Sequence, residues 1–550
     1  MTTLTKRELD ELDSELDSYV PSAELVPLPL DRVLSHLLFL AEIGEKTKTI
    51  AKLDHAALDI SVGWAHKFCK KVDPRKLNVE FDHKLFNMVI EIYNQARHYN
   101  AVSGIMSLLY KGKLVGNRID SVIETQLGAS YDLGMAVAES ELFGPNDPTR
   151  PLPDNSEISS HYAKCVRRKN GYRKLKYTLP DELFIGVQRL VHEISENNWQ
   201  LDPNLDVGGY SLADYRRLME ALATFGQIHH YCNAAPPLQE IPLKDIWFNS
   251  LLKMTSKTKW IRLLKRLSGL DSETIVRIFS DIVYDPRTGA QKNPKPDLIS
   301  TPLFPISADL FVLSNRLAFE GNWERNFWKR LSITKPTIHS ALSTSKELRQ
   351  IEDLVALLAS IPNTAHLKLL PRLRVQKKTD LDLLVLDIPS RFGLALQLKW
   401  PYGPAYYRDM QKVWEELDKG VENLILALPW LYNVPQALVQ KSQLSEEYLR
   451  EFRFKALLLS RNSVGFGWMN YRSDIPICSE RFLKWALVEK KVSLEQFWEL
   501  AARYAYKPKE NVHYSSKVIR PKFGSIEFSA PTAFNVLARF DEAIDIDWFA

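Results

Sequence analysis

Cysteine is scarce in this sequence: Cys69, Cys165, Cys232 and Cys478 lie far apart and form no CxxC pair. That spacing argues against a zinc knuckle and against a disulfide framework, and leaves reduced, scattered thiols as the expectation. Long apolar runs are missing too. A stretch such as Leu37 to Ala41 falls far short of the roughly 20 residues that cross a bilayer, and Met1 to Ser18 alternates acids and bases around no apolar core, unlike a secretory signal. A cytoplasmic protein with no membrane partner is expected. Neither sign of charge dominates, since 72 Lys and Arg against 67 Asp and Glu leave a net charge of +5, so local clusters must point to partners. Walker A, HExxH and GxSxG patterns are absent, which removes a built-in NTPase, zinc protease or serine hydrolase. There is no internal repeat or low-complexity tract. The run His229-His230-Tyr-Cys232 is read as packing, because adjacent histidines on a helix point to different faces.

What is present is enough apolar and aromatic material to fold throughout. With 550 residues, 45% of them hydrophobic and 13 of them tryptophan, the chain is too long for one core and calls for several folded units. From about Ala23 to Ile282 apolar positions recur at three- and four-residue spacing, which predicts helices. The proline-rich stretch Gly144 to Asn155 breaks that pattern. The expected order is a helical N-terminal domain (1–143), a linker (144–158), a second helical lobe (159–284), a bridging segment with short strands (285–344), an α/β domain (345–505) and a C-terminal extension (506–550) of mixed strand and loop character. Within the bridge, Pro302 to Ile306 and Asp309 to Ser314 suggest a short strand or hairpin.

The chemistry concentrates in Thr379-Asp-Leu-Asp382-Leu-Leu-Val-Leu-Asp387, a turn at Pro389-Ser-Arg-Phe-Gly, and Leu394-Ala-Leu-Gln397-Leu-Lys399-Trp400. This predicts two strands joined by a hairpin. A period of two places Asp380 and Asp382 on one face of the first strand. In the second it sets Ala395, Gln397 and Lys399 against Leu394, Leu396, Leu398 and Trp400, so that one face packs and the other presents the polar groups. Burying a lysine and aspartates near a strand centre costs several kcal/mol unless they are paired or hold a metal. Phosphodiester cleavage with a hard divalent cation supplies a reason: Asp382 as principal ligand, Gln397 lending its side-chain carbonyl, and Lys399 orienting the attacking water and stabilising negative charge. In the preceding helix the apolar stripe is Leu348, Ile351, Leu354, Val355 and Leu358. Glu352 lies at its edge and Glu347 nearer its middle, and helical phase alone does not choose between them.

Ile351-Glu352-Asp-Leu-Val355, then Asp382, a hairpin and Gln397-Leu-Lys399, resembles the PD-(D/E)XK nuclease superfamily, in the QxK form of Mrr-like restriction endonucleases. The resemblance covers about Lys346 to Leu487. It implies a restriction-endonuclease-like α/β domain with a mixed central sheet, a catalytic set of Asp382, Gln397, Lys399 and Glu352, and Mg²⁺ or Mn²⁺ held by Asp382, Gln397 and Glu352. It favours Glu352 over Glu347, and it places Gln411, on a following amphipathic helix, toward DNA. The pattern departs from the superfamily at Leu381, where proline is usual, and at Gln397, where an acid is usual. The implied function is a metal-dependent nuclease, a DNA endonuclease of restriction or antiviral-defence type, with RNA as a second substrate class and a homodimer or a defence-complex partner. The alternative is an inactive nuclease-like fold that binds nucleic acid or protein, with Asp382 and Lys399 as a structural ion pair.

Two basic stretches lie outside this region. Lys164 to Tyr177 holds seven cations and no acid, with two interleaved tyrosines; Arg167, Arg168, Lys169, Arg173, Lys174 and Lys176 are candidate phosphate contacts. Lys257 to Arg266 has helical spacing and reads as the exposed face of an ordinary helix.

Overall fold

The computed structural model describes residues 4–44, 48–50, 53–71, 80–136, 166–168, 175–177, 181–196, 201–234, 248, 252–284, 301–307, 309–320, 323–361, 366–375, 379–401, 407–462, 465–470 and 472–537. They contain both helix and mixed sheet, and no helix among them is long and apolar enough to cross a membrane. The chain divides into two compact units: Met1–Glu15 with Val102–Asn146 and Ser343–Ala550, and Leu16–Ala101 with Asp147–Leu342. The division differs from the linear order expected from sequence. It falls at Asn146, at the start of the expected linker, but also within helices His83–Tyr110 and Pro336–Ser360, and it joins the first and last segments of the chain in one unit. The whole of the expected linker lies outside the described residues.

The second unit is largely helical, as the apolar periodicity predicts. Its described elements are α2 (Ser22–Leu25), α3 (Leu30–Ile43), α4 (His55–Phe68), α6 (Asp181–Glu196), α7 (Leu212–Ala234), α8 (Lys257–Ser268), α9 (Ser272–Ile282), α10 (Asn315–Glu320) and α11 (Trp323–Thr334), together with most of α5 (His83–Tyr110). The hairpin expected near 302–314 is present as β6 (Leu303–Pro305) and β7 (Leu310–Leu313), with β5 (Lys253–Ser256) pairing on the other side of β7. Phe39, Phe81, Phe86 and Phe248 cluster within ring distances of 5.2 to 5.7 Å around the buried end of α3. His229 of α7 stacks on Phe225, in keeping with the packing reading. Cys69, Cys232 and Cys478 are buried.

The first unit holds the α/β region. Helix α12 (Pro336–Ser360) is followed by β8 (Leu367–Val375), β9 (Thr379–Asp387) and β10 (Phe392–Lys399), then α13 (Tyr407–Tyr432), two short helices α14 (Gln436–Ser442) and α15 (Glu446–Arg450), and β11 (Arg453–Ser460) and β12 (Ile477–Ser479). The five strands form one sheet in the order β12-β11-β10-β9-β8. Strands β8, β9 and β10 run antiparallel through hairpins, whereas β10 pairs β11 parallel, the geometry that a helical crossover through α13 permits. The register confirms the expected hairpin, Phe392 facing Asp387 and Leu396 facing Leu383, with Arg391 in the turn at φ 52°.

Every residue of β10 from Phe392 to Leu398 is buried, so the strand is covered on both faces, the polar one included. A central strand with a parallel neighbour is normally buried on both sides, and here α13 covers the side that carries Gln397 and Lys399.

The C-terminal extension is also more ordered than its sequence suggests. Strands β13 (Tyr514–Ile519), β14 (Lys522–Phe523) and β15 (Ile526–Val536) join a hairpin of β1 (Leu114–Ile119) and β2 (Val122–Leu127), with β15 parallel to β2. Helices α1 (Lys6–Ser18), α16 (Glu480–Lys484) and α17 (Leu494–Ala502) complete the described helices. In the remaining sheet, β3 (Val166–Arg168) and β4 (Leu175–Tyr177) pair antiparallel, Arg167 opposite Lys176.

Candidate active site

Asp382 sits where both of its neighbouring ladders are interrupted. On one side the pairs run Pro371–Leu383 and Leu373–Leu381 and skip Arg372, which would face Asp382 and has φ 53°. That is a left-handed conformation that an L-residue adopts at some expense. On the other side the β9–β10 ladder ends at Leu396–Leu383. Beyond that point the Asp382 side chain takes over: its Oδ2 accepts the Leu398 N–H at 2.7 Å and the side-chain N–H of Gln397. Asp382 and Gln397 thus meet across the two strands, on the same face, as the period-two reading predicts.

Three features make this more than a structural hydrogen bond. The first is Gln397, which is 4% exposed and whose Oε1 has no hydrogen-bond partner among the described residues. A buried acceptor left unsatisfied costs about 1–3 kcal/mol. The second is that burial pushes the Asp382 carboxyl up to about 6, with the Leu398 N–H and the charge of Lys399 acting against it and Glu347 and Asp380 adding to it. The third is that Lys399, half-buried, makes no ion pair or side-chain hydrogen bond among the described residues. It acts on Asp382 through space, not as a closed pair, and a structural Asp382–Lys399 salt bridge is not formed.

The end of β10 is rigidly held. The Lys399 carbonyl accepts from the Arg461 N–H at 2.8 Å and from Gln350 Nε2 at 3.2 Å, and the same Gln350 nitrogen donates to Glu480 at 2.7 Å. The next carbonyl, of Trp400, accepts from Lys346 Nζ at 2.5 Å. Arg461 lies over the Trp400 ring at 3.9 Å and bonds Asp353 at 2.9 Å. Helix α12 therefore anchors the strand that carries Gln397 and Lys399, through Lys346, Gln350 and Asp353.

Helix α13 covers the polar face by means of Gly420. A Cβ there would lie 2.6 Å from Leu458 Cδ1, 3.0 Å from Lys399 Cε and 3.5 Å from Gln397 Cγ, so the missing side chain is what lets the helix approach. One turn earlier on α13 stands Glu416, whose carboxyl pKa is raised by partial desolvation against the opposing charges of Lys346 and Lys399. Beside Lys399 in the parallel register is Ser460, fully buried, whose hydroxyl has no partner among the described residues.

Of the sequence candidates, the structure brings together Asp382, Gln397 and Lys399. Glu352 is exposed on α12 and is not among the charges that act on Asp382, whereas Glu347 is. Glu347 is itself exposed, but it stands on the same side of α12 as Ile351, Leu354 and Leu358, at spacings of four, three and four residues. Glu416 and Ser460 were not foreseen; an acid at the edge of the apolar stripe of α13 was the available signal for the first, and the second had none. Gln411 lies in α13, but its side chain is outside the described residues. Arg167, Arg168 and Lys176 are placed by backbone alone in β3 and β4, while Lys169, Arg173 and Lys174 lie outside the described residues. Among the described residues no group of three or more His, Cys, Asp or Glu side chains converges to hold a metal ion. No family model, curated protein or solved structure matches the chain.

Proposed function

We propose that the chain is a divalent-metal-dependent nuclease that hydrolyses phosphodiester bonds, with the region from α12 to β12 as a restriction-endonuclease-like domain of the PD-(D/E)XK type and DNA as the substrate. The observation that carries this reading is the buried, unpartnered Oε1 of Gln397 beside the raised carboxyl of Asp382, with the uncommitted ammonium of Lys399 two residues along the same face. The order of helix, three antiparallel strands, covering helix and parallel strand supports it.

The oxygen donors fit Mg²⁺ or Mn²⁺. Mg²⁺ keeps several waters and needs only one or two carboxylates besides substrate phosphate, so a convergent cage of three acids is not required. Asp382 and Gln397 would hold the ion, with Glu347 better placed than Glu352 to add a second carboxylate. When bound, such an ion lowers the pKa of a coordinated water and offsets charge on the phosphoryl oxygens. The chain's own residues do the remainder: Asp382 is oriented by the Leu398 N–H and the Gln397 amide, and Lys399, held by its clamped backbone, offers an ammonium to the developing negative charge. An endonuclease of restriction or antiviral-defence type, active as a homodimer or with a partner, is the biological reading.

A second reading, a nuclease-like fold that binds without cutting, is favoured by one observation, the neutral glutamine at 397 with no cluster of three acids converging on the site among the described residues. Plasmid, linear and single-stranded DNA, and RNA, incubated with Mg²⁺ or Mn²⁺ beside Asp382→Ala and Lys399→Ala, decide between the two. Metal-dependent cleavage lost in both variants supports the nuclease; cleavage absent, or equal in the variants, ends it.

A further inference from the structure

Helix α8, Lys257–Ser268, carries Lys257, Lys259, Arg262, Lys265 and Arg266 and no acidic residue. All five cations are exposed, and none has an ion pair or side-chain hydrogen bond among the described residues. Elsewhere in the chain some helical arginines are neutralised one turn away, Arg7 with Glu11, Arg216 with Glu220, Arg277 with Glu273 and Arg450 with Glu446, while single ones such as Arg97, Arg189 and Arg217 are not, among the described residues; α8 is set apart by carrying five cations and no acid. The acids of the adjacent α9 are engaged elsewhere, Asp271 capping its own helix, Glu273 on Arg277, and Asp281 with Tyr210 and Lys335. Lys257 lies over the Phe279 ring at 5.5 Å, which spends none of its charge.

The helix dipole explains only two of the five. Lys265 and Arg266 occupy the last turn, where cations are favoured, but Lys257 and Lys259 occupy the first, where they are disfavoured. No acid stands in that turn, and Ser256 supplies no side-chain cap. At about 100° per residue, Lys259, Arg262, Lys265 and Arg266 fill an arc of roughly 120°, diametrically opposite the buried Trp260 and Leu264. Along the axis, Lys259, Arg262 and Arg266 are about 4.5 to 6 Å apart, on the scale of the roughly 3.4 Å per strand by which successive phosphates advance along a duplex axis. An uncompensated stripe of one sign, placed partly against the local dipole, is a surface arranged for a polyanion.

We infer that this face of α8 is a nucleic-acid contact surface whose cations bind consecutive backbone phosphates; the choice of nucleic acid as the polyanion rests on the nuclease reading. The contact is to backbone, so it adds affinity without sequence preference.

The test is binding of a fluorescent duplex DNA by the full chain in EDTA, where no metal-dependent cleavage occurs, over a range of salt. Lys259→Glu, Arg262→Glu and Arg266→Glu combined should weaken binding by about tenfold or more near 0.1 M salt. The log–log salt slope should become shallower by about two to three, since each lost phosphate contact removes roughly 0.9. The same positions changed to Gln provide a milder variant if the reversal lowers the yield of folded protein. A charge-matched reversal of the exposed Lys484, Lys490 and Lys491 in the other unit should leave binding within about twofold. Unchanged affinity and slope in the α8 variants, an equal loss in the control, or preference of the wild type for phosphatidylserine vesicles over DNA would each overturn the inference. Cleavage by the wild type with Mg²⁺ is scored separately, so loss of the binding surface and loss of the nuclease reading are distinguishable.

Discussion

At the scale of single residues, the candidate site is marked by groups held at a cost to the fold. Asp382 has a carboxyl raised by burial to about 6 against an ordinary value of 3.8, so its ionised form is disfavoured in the folded state. Its stabilising contribution is complete below about pH 4 and is lost as pH rises through about 6. Asp382→Asn keeps an oxygen for both the Leu398 N–H and the Gln397 amide while removing the charge. It should raise stability at pH 8 by about 1–2 kcal/mol, a discounted figure for a half-buried group, and should lose that advantage near pH 4. Cleavage should fall at least on the order of 100-fold. Thermal melts at the two pH values check the first part; a lower melting temperature at pH 8 would instead assign Asp382 a purely structural partner. Gln397→Glu replaces the donor to Asp382 with a second carboxylate. It should melt lower than wild type in EDTA and recover by several degrees on addition of Mg²⁺, a shift read by differential scanning fluorimetry.

At the scale of elements, the site depends on how closely α13 lies on β10. Gly420→Val would set side-chain atoms against Leu458, Lys399 and Gln397, and overpacking of this kind costs about 1–3 kcal/mol. Cleavage should drop more than stability alone accounts for, because the displaced groups are the ones proposed to act; parallel kinetics and melts measure both. In the second unit, α3 and α10 meet through a buried acid. Glu42 accepts from Ser314 Oγ at 3.2 Å, Asn315 Nδ2 at 3.4 Å and the Arg316 N–H at 3.3 Å, and burial pushes its carboxyl up to about 7. A raised folded-state pKa means that the contribution is full below about 4.5 and is lost as pH climbs through about 7, on the order of 2–3 kcal/mol. Denaturant unfolding from pH 4.5 to 8 should show that decline, and Glu42→Gln should flatten it.

At the scale of the whole chain, the α/β sheet is not a self-contained segment. Met135 belongs to the same apolar core as the strands β8 to β12, and the hairpin β1–β2 obtains its third strand from β15, more than 400 residues later. A fragment limited to 345–505 should therefore bind a hydrophobic dye and melt well below the intact protein, because it lacks both. Equal melting temperatures for fragment and full chain would show the α/β region to be autonomous. The sequence pattern located β9, β10, their turn, the helices on either side and the hairpin at 302–314, since these rest on local periodicity and turn residues. The unit boundaries and the C-terminal sheet were not legible, because strands that pair across hundreds of residues leave no mark on local composition.

By itself the sequence determined that Asp382, Gln397 and Lys399 share one side of a strand pair, because a period of two leaves no other choice once the hairpin forms. It also determined that the α8 cations lie opposite an apolar stripe. Tertiary structure alone decided that the Gln397 face is covered by α13 and that the Gln397 side-chain oxygen has no partner among the described residues. It also set Glu347 among the charges that raise the Asp382 carboxyl. Those outcomes depend on which helix packs over which strand and at what rotation, and that is set by close contact between elements distant in the chain rather than by any local preference.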